Sequence, residues 1–174
     1  MDIGIGLPAT IPGVQRDQLL PWAQRAEQRG FSSLGVIDRL VYANYEPLVA
    51  LAAAAAVTER VRLTTDILLA PLRGNGAVLA KQAATVDALS NGRLTLGIAV
   101  GKRPDDFEAA SVPFHEHGTL MDNMLNEMKQ VWTDEKRGFA KTIRPPPTRA
   151  SNPELLISGR IDATVKQVTR FKNK

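Results

Sequence analysis

The stretch LSNGRLTLGIAVGKRPDDFEAASVPF, Leu89 to Phe114, decides how the chain is read, because its glycines fit two incompatible pictures. They could cradle a phosphate with backbone amides, or they could clear one face of a strand for something flat. Within RLTLGIAVG, residues 93–101, Leu94, Leu96, Ile98 and Val100 alternate with Thr95, Gly97, Ala99 and Gly101. Successive strand residues point to opposite faces, so one face is bulky and apolar and the other nearly bare. Glycine weakens a strand interior and marks close approach by a ligand or another backbone. The bare face therefore leaves room for a flat ligand, or it accommodates a bulky neighbouring strand; the alternation alone leaves both open.

The phosphate-loop readings fail on spacing. A Walker loop needs four residues between its glycines and a hydroxyl after its lysine, and Gly97-Ile98-Ala99-Val100-Gly101-Lys102 followed by Arg103 has neither. The dinucleotide pattern G-x-G-x-x-G fails too, because Ala99 stands between Gly97 and Gly101 and Arg103-Pro104 follows. Gly92, with Asn91, closes a helix instead.

Outward from this strand the chain alternates strand and helix. Apolar, β-branched runs bounded by turn residues predict strands at Asp2–Leu7, Ser32–Ile37, Val61–Leu69, Arg93–Val100 and Glu154–Ser158. Between them lie a helix over Asp17–Arg29, with Asp17 as its N-cap and Gly30 as its stop, an alanine-rich helix over Glu46–Glu59, and a third over Ala77–Leu89. A fourth repeats Leu120, Met124, Leu125, Met128, Val131 and Trp132 at helical spacing, which is core packing, and Ile161–Phe171 is a short amphipathic piece. Five strand-then-helix units imply an α/β fold with parallel strands, since parallel neighbours need a crossover. Residues 136–153 hold four of the eleven prolines and no periodicity, and read as an inserted loop.

Composition sets the class. The chain has 174 residues, 44% of them hydrophobic, and reads as a single domain over 1–174. It contains no cysteine, which excludes disulfides and thiolate chemistry. His115 and His117 are the only histidines, too few for a metal site that wants three or four ligands, so no metal is expected. MDIGIGLP lacks a signal-peptide pattern, and the longest apolar run, Leu48 to Val57, is far short of the roughly 20 residues of a membrane span. A cytoplasmic protein without a membrane partner is the expectation. The net charge of +4 arises beyond residue 135, where 10 basic residues face 2 acidic ones. The basic end, KQVTRFKNK, lacks a nucleic-acid motif or interleaved aromatics and reads as a solvated helix face, with no nucleic-acid partner.

LAKQAATVDALSNGRLTLGIAVGKRPDDFEAASVPF, with EPLVALAAAAAVTERVRL upstream and PELLISG downstream, resembles the luciferase-like monooxygenase family, the bacterial luciferase-type enzymes that use FMN or F420. The resemblance implies a partial (β/α)8 TIM-type barrel of about five βα units. It implies an isoalloxazine ring lying across the early strands, with Gly97, Ala99 and Gly101 offered to it. Thr65, Asp66 and Ile67 fall where relatives place a non-prolyl cis peptide that buttresses the ring. Ser158 and Gly159 match a small-residue turn whose amides suit the cofactor phosphate. After the second strand relatives carry an Asp-His or similar pair; here Asp38 and Arg39 are the catalytic candidates. Arginine cannot shuttle a proton near neutrality but could hold an anionic ring or phosphate, and an ion pair at a loop is the alternative. His117 and Asn123 replace an arginine and a glutamate usual in relatives.

The implied activity is a flavin- or F420-dependent oxidoreductase or monooxygenase acting on a small organic substrate, with a flavin reductase as partner. A whole barrel needs about 250 residues. The chain therefore reads as a C-terminally truncated member or as a partial barrel completed by another copy, a homo-oligomer. The alternative function is a non-catalytic flavin-binding or self-assembling half-barrel.

Overall fold

The computed structural model describes residues 1–133, 142–148, 152–159 and 161–172. Half of the expected inserted loop at 136–153 lies outside the described residues; 142–148 and its last two positions are described and have no regular structure. The strands are β1 (Gly4–Gly6), β2 (Ser33–Val36), β3 (Arg62–Thr65), β4 (Leu68–Leu69), β5 (Leu94–Ala99) and β6 (Glu154–Ser158). The helices are α1 (Arg16–Gln28), α2 (Pro47–Ala55), α3 (Gly76–Leu89), α4 (Pro104–Ala109), α5 (His117–Trp132) and α6 (Ile161–Lys172).

All strand pairs are parallel, in the order β1-β2-β3-β5, with β4 also against β5 and β6 joined to β5. The run Val61–Leu69 is therefore not one strand. It breaks at a cis peptide between Asp66 and Ile67, and its two parts pair with successive stretches of β5: Leu63 with Leu94, then Leu68 with Ile98. Among the described residues the sheet does not close, and β1 and β6 form its two ends.

One face of the sheet carries the core. Leu34, Leu63, Leu94, Leu96 and Ile98 are fully buried there, each worth about 1.5–3 kcal/mol relative to exposure. Helices α2 and α3 pack on these strands and α5 packs on α3. Ala54, Ala80, Ala83 and Ala84 are also buried, and their small side chains let the helices approach closely. The buried Trp132 indole donates to the Ala80 carbonyl at 3.0 Å and ties α5 to α3.

Helix ends follow their local chemistry, with two corrections. Asp17 sits inside the first turn of α1 and does not cap it; Gln15 does, its amide donating to the Gln18 side chain at 2.9 Å. The stretch after β5, to which the sequence assigns no helix before the one repeating from Leu120, contains the short helix α4, opened by Pro104 in the position where a missing N–H costs nothing. The stops hold: Gly30, Asn91 and Gly92 all have positive φ, at 79°, 55° and 79°. Glu27 accepts from the amides of Glu59, Arg60 and Val61 at 3.0, 2.5 and 2.8 Å, fastening α1 to the turn before β3. Burial opposes its charge, but these amides outweigh burial and hold the carboxyl below its ordinary value.

Candidate functional site

The face of the sheet turned away from the helices is bare over β1 and β2 at Gly6 and Gly35. Gly6, Gly35, Thr64 and Thr95 are paired in register across four strands. A pocket of about 320 Å³ opens on β1, β2 and β3 of this face, bordered by Gly6, Ser33, Gly35, Ile37, Thr64 and Asp66. A Cβ built on Gly6 would meet nothing within 4 Å, and one on Gly35 only the Asp66 Cβ at 3.9 Å. No described residue demands glycine at these positions, so their missing side chains leave open floor. Sequence reasoning missed both. The signal was the same alternation seen in β5, in GIG at residues 4–6 and SLGV at residues 33–36.

The glycines that were singled out answer to the protein itself. A Cβ on Gly97 would lie 2.2 Å from the Thr65 carbonyl oxygen, so the residue is small because the neighbouring backbone presses on it. Gly101 lies beyond the end of β5, with φ of 84°, and a Cβ there would touch the Phe107 ring at 3.0 Å. Only Ala99 remains as a half-buried small residue of the strip. Thr65 is buried; its hydroxyl donates to the Gly97 carbonyl at 2.7 Å. Ile67 packs beside Gly97, and Asp66, whose amide donates to the Val36 carbonyl at 2.7 Å, turns its side chain into the pocket.

Asp38 and Arg39 come out ion-paired, each with its own partner. Asp38, 7% exposed, accepts from the Leu69 amide at 2.8 Å and from Arg73 at 2.5 Å, and Arg73 also binds Glu46 at 2.7 Å. Arg39 donates to Asp106 at 2.6 Å and to Asp105 at 3.3 Å. The fully buried Asp106 also accepts from the amides of Leu40 and Val41, at 3.0 and 2.8 Å, so the loop after β2 is strapped to α4. Burial works against the Asp106 charge, but the Val41 amide, Arg39 and the Leu40 amide together hold its carboxyl below the ordinary value.

Ser158 and Gly159 are exposed at the end of β6, just before α6, and Ser158 is in register with Ala99. A Cβ on Gly159 would fall 2.8 Å from the Thr164 hydroxyl, which is itself buried with no hydrogen-bond partner among the described residues. At the opposite end of the same face Arg62 donates to Thr95 at 2.7 Å and pairs with Glu154, while Thr95 donates to Glu154 at 2.7 Å. This polar cluster, also missed in the sequence, lies at the N-terminal end of the strands. Among the described residues no group of three or more His, Cys, Asp or Glu could hold a metal, and no helix is long and apolar enough to cross a membrane.

A parallel sheet with helices on one face and a bare opposite face is the wall of an α/β barrel. Residues 1–170 match the luciferase-like monooxygenase family, and the chain belongs to it. It is 34% identical over 133 residues to an F420-dependent glucose-6-phosphate dehydrogenase of Intrasporangium calvum, covering 70% of this chain and 40% of the relative. An uncharacterized protein of Mycobacterium tuberculosis is 29% identical over 181 residues, covering 87% of this chain and 62% of its own length. Among solved structures, the monooxygenase RslO1 of Streptomyces bottropensis superposes with a TM-score of 0.81 at 27% identity, covering 98% of this chain and 57% of that one. The fold is also that of the oxygenating constituent of 3,6-diketocamphane monooxygenase of Pseudomonas putida, solved with FMN: TM-score 0.76, 21% identity, 91% of this chain and 51% of that one. The chain thus spans less than two thirds of each of these proteins.

Proposed function

We propose that the bare face over β1, β2 and β3 binds the ring of FMN or F420, and that the protein is an oxidoreductase or monooxygenase using that cofactor on a small organic substrate. The observation that carries this reading is the floor at Gly6 and Gly35, where a Cβ would be free to stand and none does. A planar ring needs such a floor, and the approximately 320 Å³ of space above it is of the size ligands occupy. Family membership and the FMN and F420 named for its relatives support the choice of cofactor. The bound cofactor would supply the redox chemistry, and this chain the orientation and shielding of the ring. Ala99, Ser158 and Gly159 would lie along the cofactor's path toward α6. Asp38 and Arg39, each tied into ion pairs, would shape the mouth through the loop they hold rather than transfer protons. Titration of purified protein with FMN and with F420 is expected to shift the ring absorbance with a Kd at or below the micromolar range. No perturbation by either at high micromolar concentration would remove the proposal.

The two sheet ends favour a second reading, a self-assembling half-barrel that binds flavin without turnover. Among the described residues β1 and β6 each pair on one side only, and Leu156 is 51% exposed on the bare face of β6. Open strand edges invite pairing with another chain. Light scattering is expected to show a dimer or larger species under this reading, and a monodisperse monomer counts against it. A flavin reductase assay of oxygen consumption separates binder from enzyme.

A further inference from the structure

Of the residues lining the bare-face pocket, Asp66 alone carries a charge. Its side chain is exposed and lies beside Gly35, with the two Cβ positions 3.9 Å apart. No hydrogen bond or ion pair engages its carboxylate among the described residues. The cation on the strand that leads to it, Arg62 of β3, is committed to Thr95 and Glu154 at the other end of the face. The other acidic groups near the C-terminal strand ends, Asp38, Asp105 and Asp106, are each satisfied by an arginine. A lone unneutralised carboxylate in a pocket floored by glycine is an acceptor for an N–H donor and a repeller of anions.

We infer that Asp66 is the charge-selecting residue of this pocket: its carboxylate accepts an N–H from a neutral bound ring and disfavours the same ring once reduction has made it anionic. The inference rests on the proposed flavin or deazaflavin site and goes beyond it, because it assigns a redox-state preference to one side chain. Charge near the ring is a principal means by which a protein tunes such a cofactor. A unit charge a few ångströms away, partly screened by solvent, shifts an equilibrium by about tenfold. The oxidised form should therefore bind the wild type more tightly than the reduced form does, and the difference should collapse when the charge is removed.

The test is anaerobic titration of the full chain with oxidised and with dithionite-reduced FMN, and likewise with F420, read by absorbance and fluorescence. In Asp66→Asn, the ratio of reduced to oxidised Kd is expected to fall about tenfold, equivalent to a rise of about 30 mV in the bound two-electron potential. Asp66→Glu, which keeps the charge, should hold the ratio within about threefold of the wild type. Raising ionic strength from about 0.01 M to about 1 M, which shortens the screening length from about 30 Å to about 3 Å, should shrink the wild-type ratio without any substitution. A ratio unchanged both by Asp66→Asn and by salt, with binding intact, overturns the inference and leaves the proposed function standing. Failure of the wild type to bind either cofactor overturns both.

Discussion

Replacing Gly97 with alanine is expected to destabilise the fold by about 3 kcal/mol, a large fraction of the roughly 5–15 kcal/mol that holds a domain together. The added methyl would stand 2.2 Å from the Thr65 carbonyl oxygen, well inside van der Waals contact. Neither side can yield cheaply. The Thr65 hydroxyl is bonded to the Gly97 carbonyl at 2.7 Å, and the next residue, Asp66, is bonded through its amide to Val36 at 2.7 Å. Relief would require β3 and β5 to part, with β2 drawn along.

Gly6→Ala makes the matched comparison, because its methyl would meet no protein atom within 4 Å. Its stability should stay within about 0.5 kcal/mol of wild type, or rise slightly by restricting the unfolded chain. Its methyl would instead occupy the floor of the proposed cofactor site, and affinity for FMN or F420 should drop by tenfold or more. Urea unfolding measures the first effect, where a loss of about 3 kcal/mol moves the midpoint by more than about 1 M; cofactor titration measures the second. If Gly97→Ala proves no more damaging to stability than Gly6→Ala, the backbone account of Gly97 is wrong.

These two glycines mark where the sequence could be read and where it could not. Alternation singled out Gly97, because a strand shows its face pattern in its residues, but it went unread at Gly6, where β1 runs for only three residues. What fills the space opposite a glycine is a matter of which strand lies beside it and at what register, and neither is written locally. The strip in β5 therefore looked like a ligand surface while the Thr65 backbone occupied part of it, and the open floor lay two and three strands away, at Gly35 and Gly6. The elements themselves were legible wherever periodicity ran long enough, as in α3, α5 and β5. Helix α4 escaped because six residues give too few turns to show a period. Asp17 drew the capping assignment by residue type, although the chain enters α1 two residues earlier. Asp38 and Arg39 were found by their place after a strand, but the group that settles Arg39 is Asp106, 67 residues on. Only the fold makes them neighbours.

Asp106 carries the second large effect. Its side chain is buried and receives two amides and an arginine, so removal leaves the Leu40 and Val41 N–H groups and part of the Arg39 charge without their acceptor. Breaking such a pair from one side costs about 3–5 kcal/mol, and Asp106→Ala should lose stability on that scale. Asp106→Asn, which keeps the shape and one acceptor oxygen, should lose less. The sign of the pH effect follows from the depressed carboxyl. The unfolded chain protonates near its ordinary value of about 3.9, while the folded chain stays ionised to lower pH. The stabilisation is therefore fully present above the unfolded value and disappears as pH falls through the folded one. Wild-type unfolding free energy should decline as pH falls below the ordinary carboxylate range, and in Asp106→Asn that decline should be shallower without vanishing, since the Glu27 carboxyl is held low too. Hydrogen exchange locates the change. At neutral pH the Leu40 and Val41 amides should exchange slowly in the wild type and at least tenfold faster in Asp106→Ala, while the Val61 amide, held by Glu27, follows only the global loss. Equal acceleration at all three amides would mean that Asp106 supports the whole fold and does not specifically strap the loop that borders the proposed site.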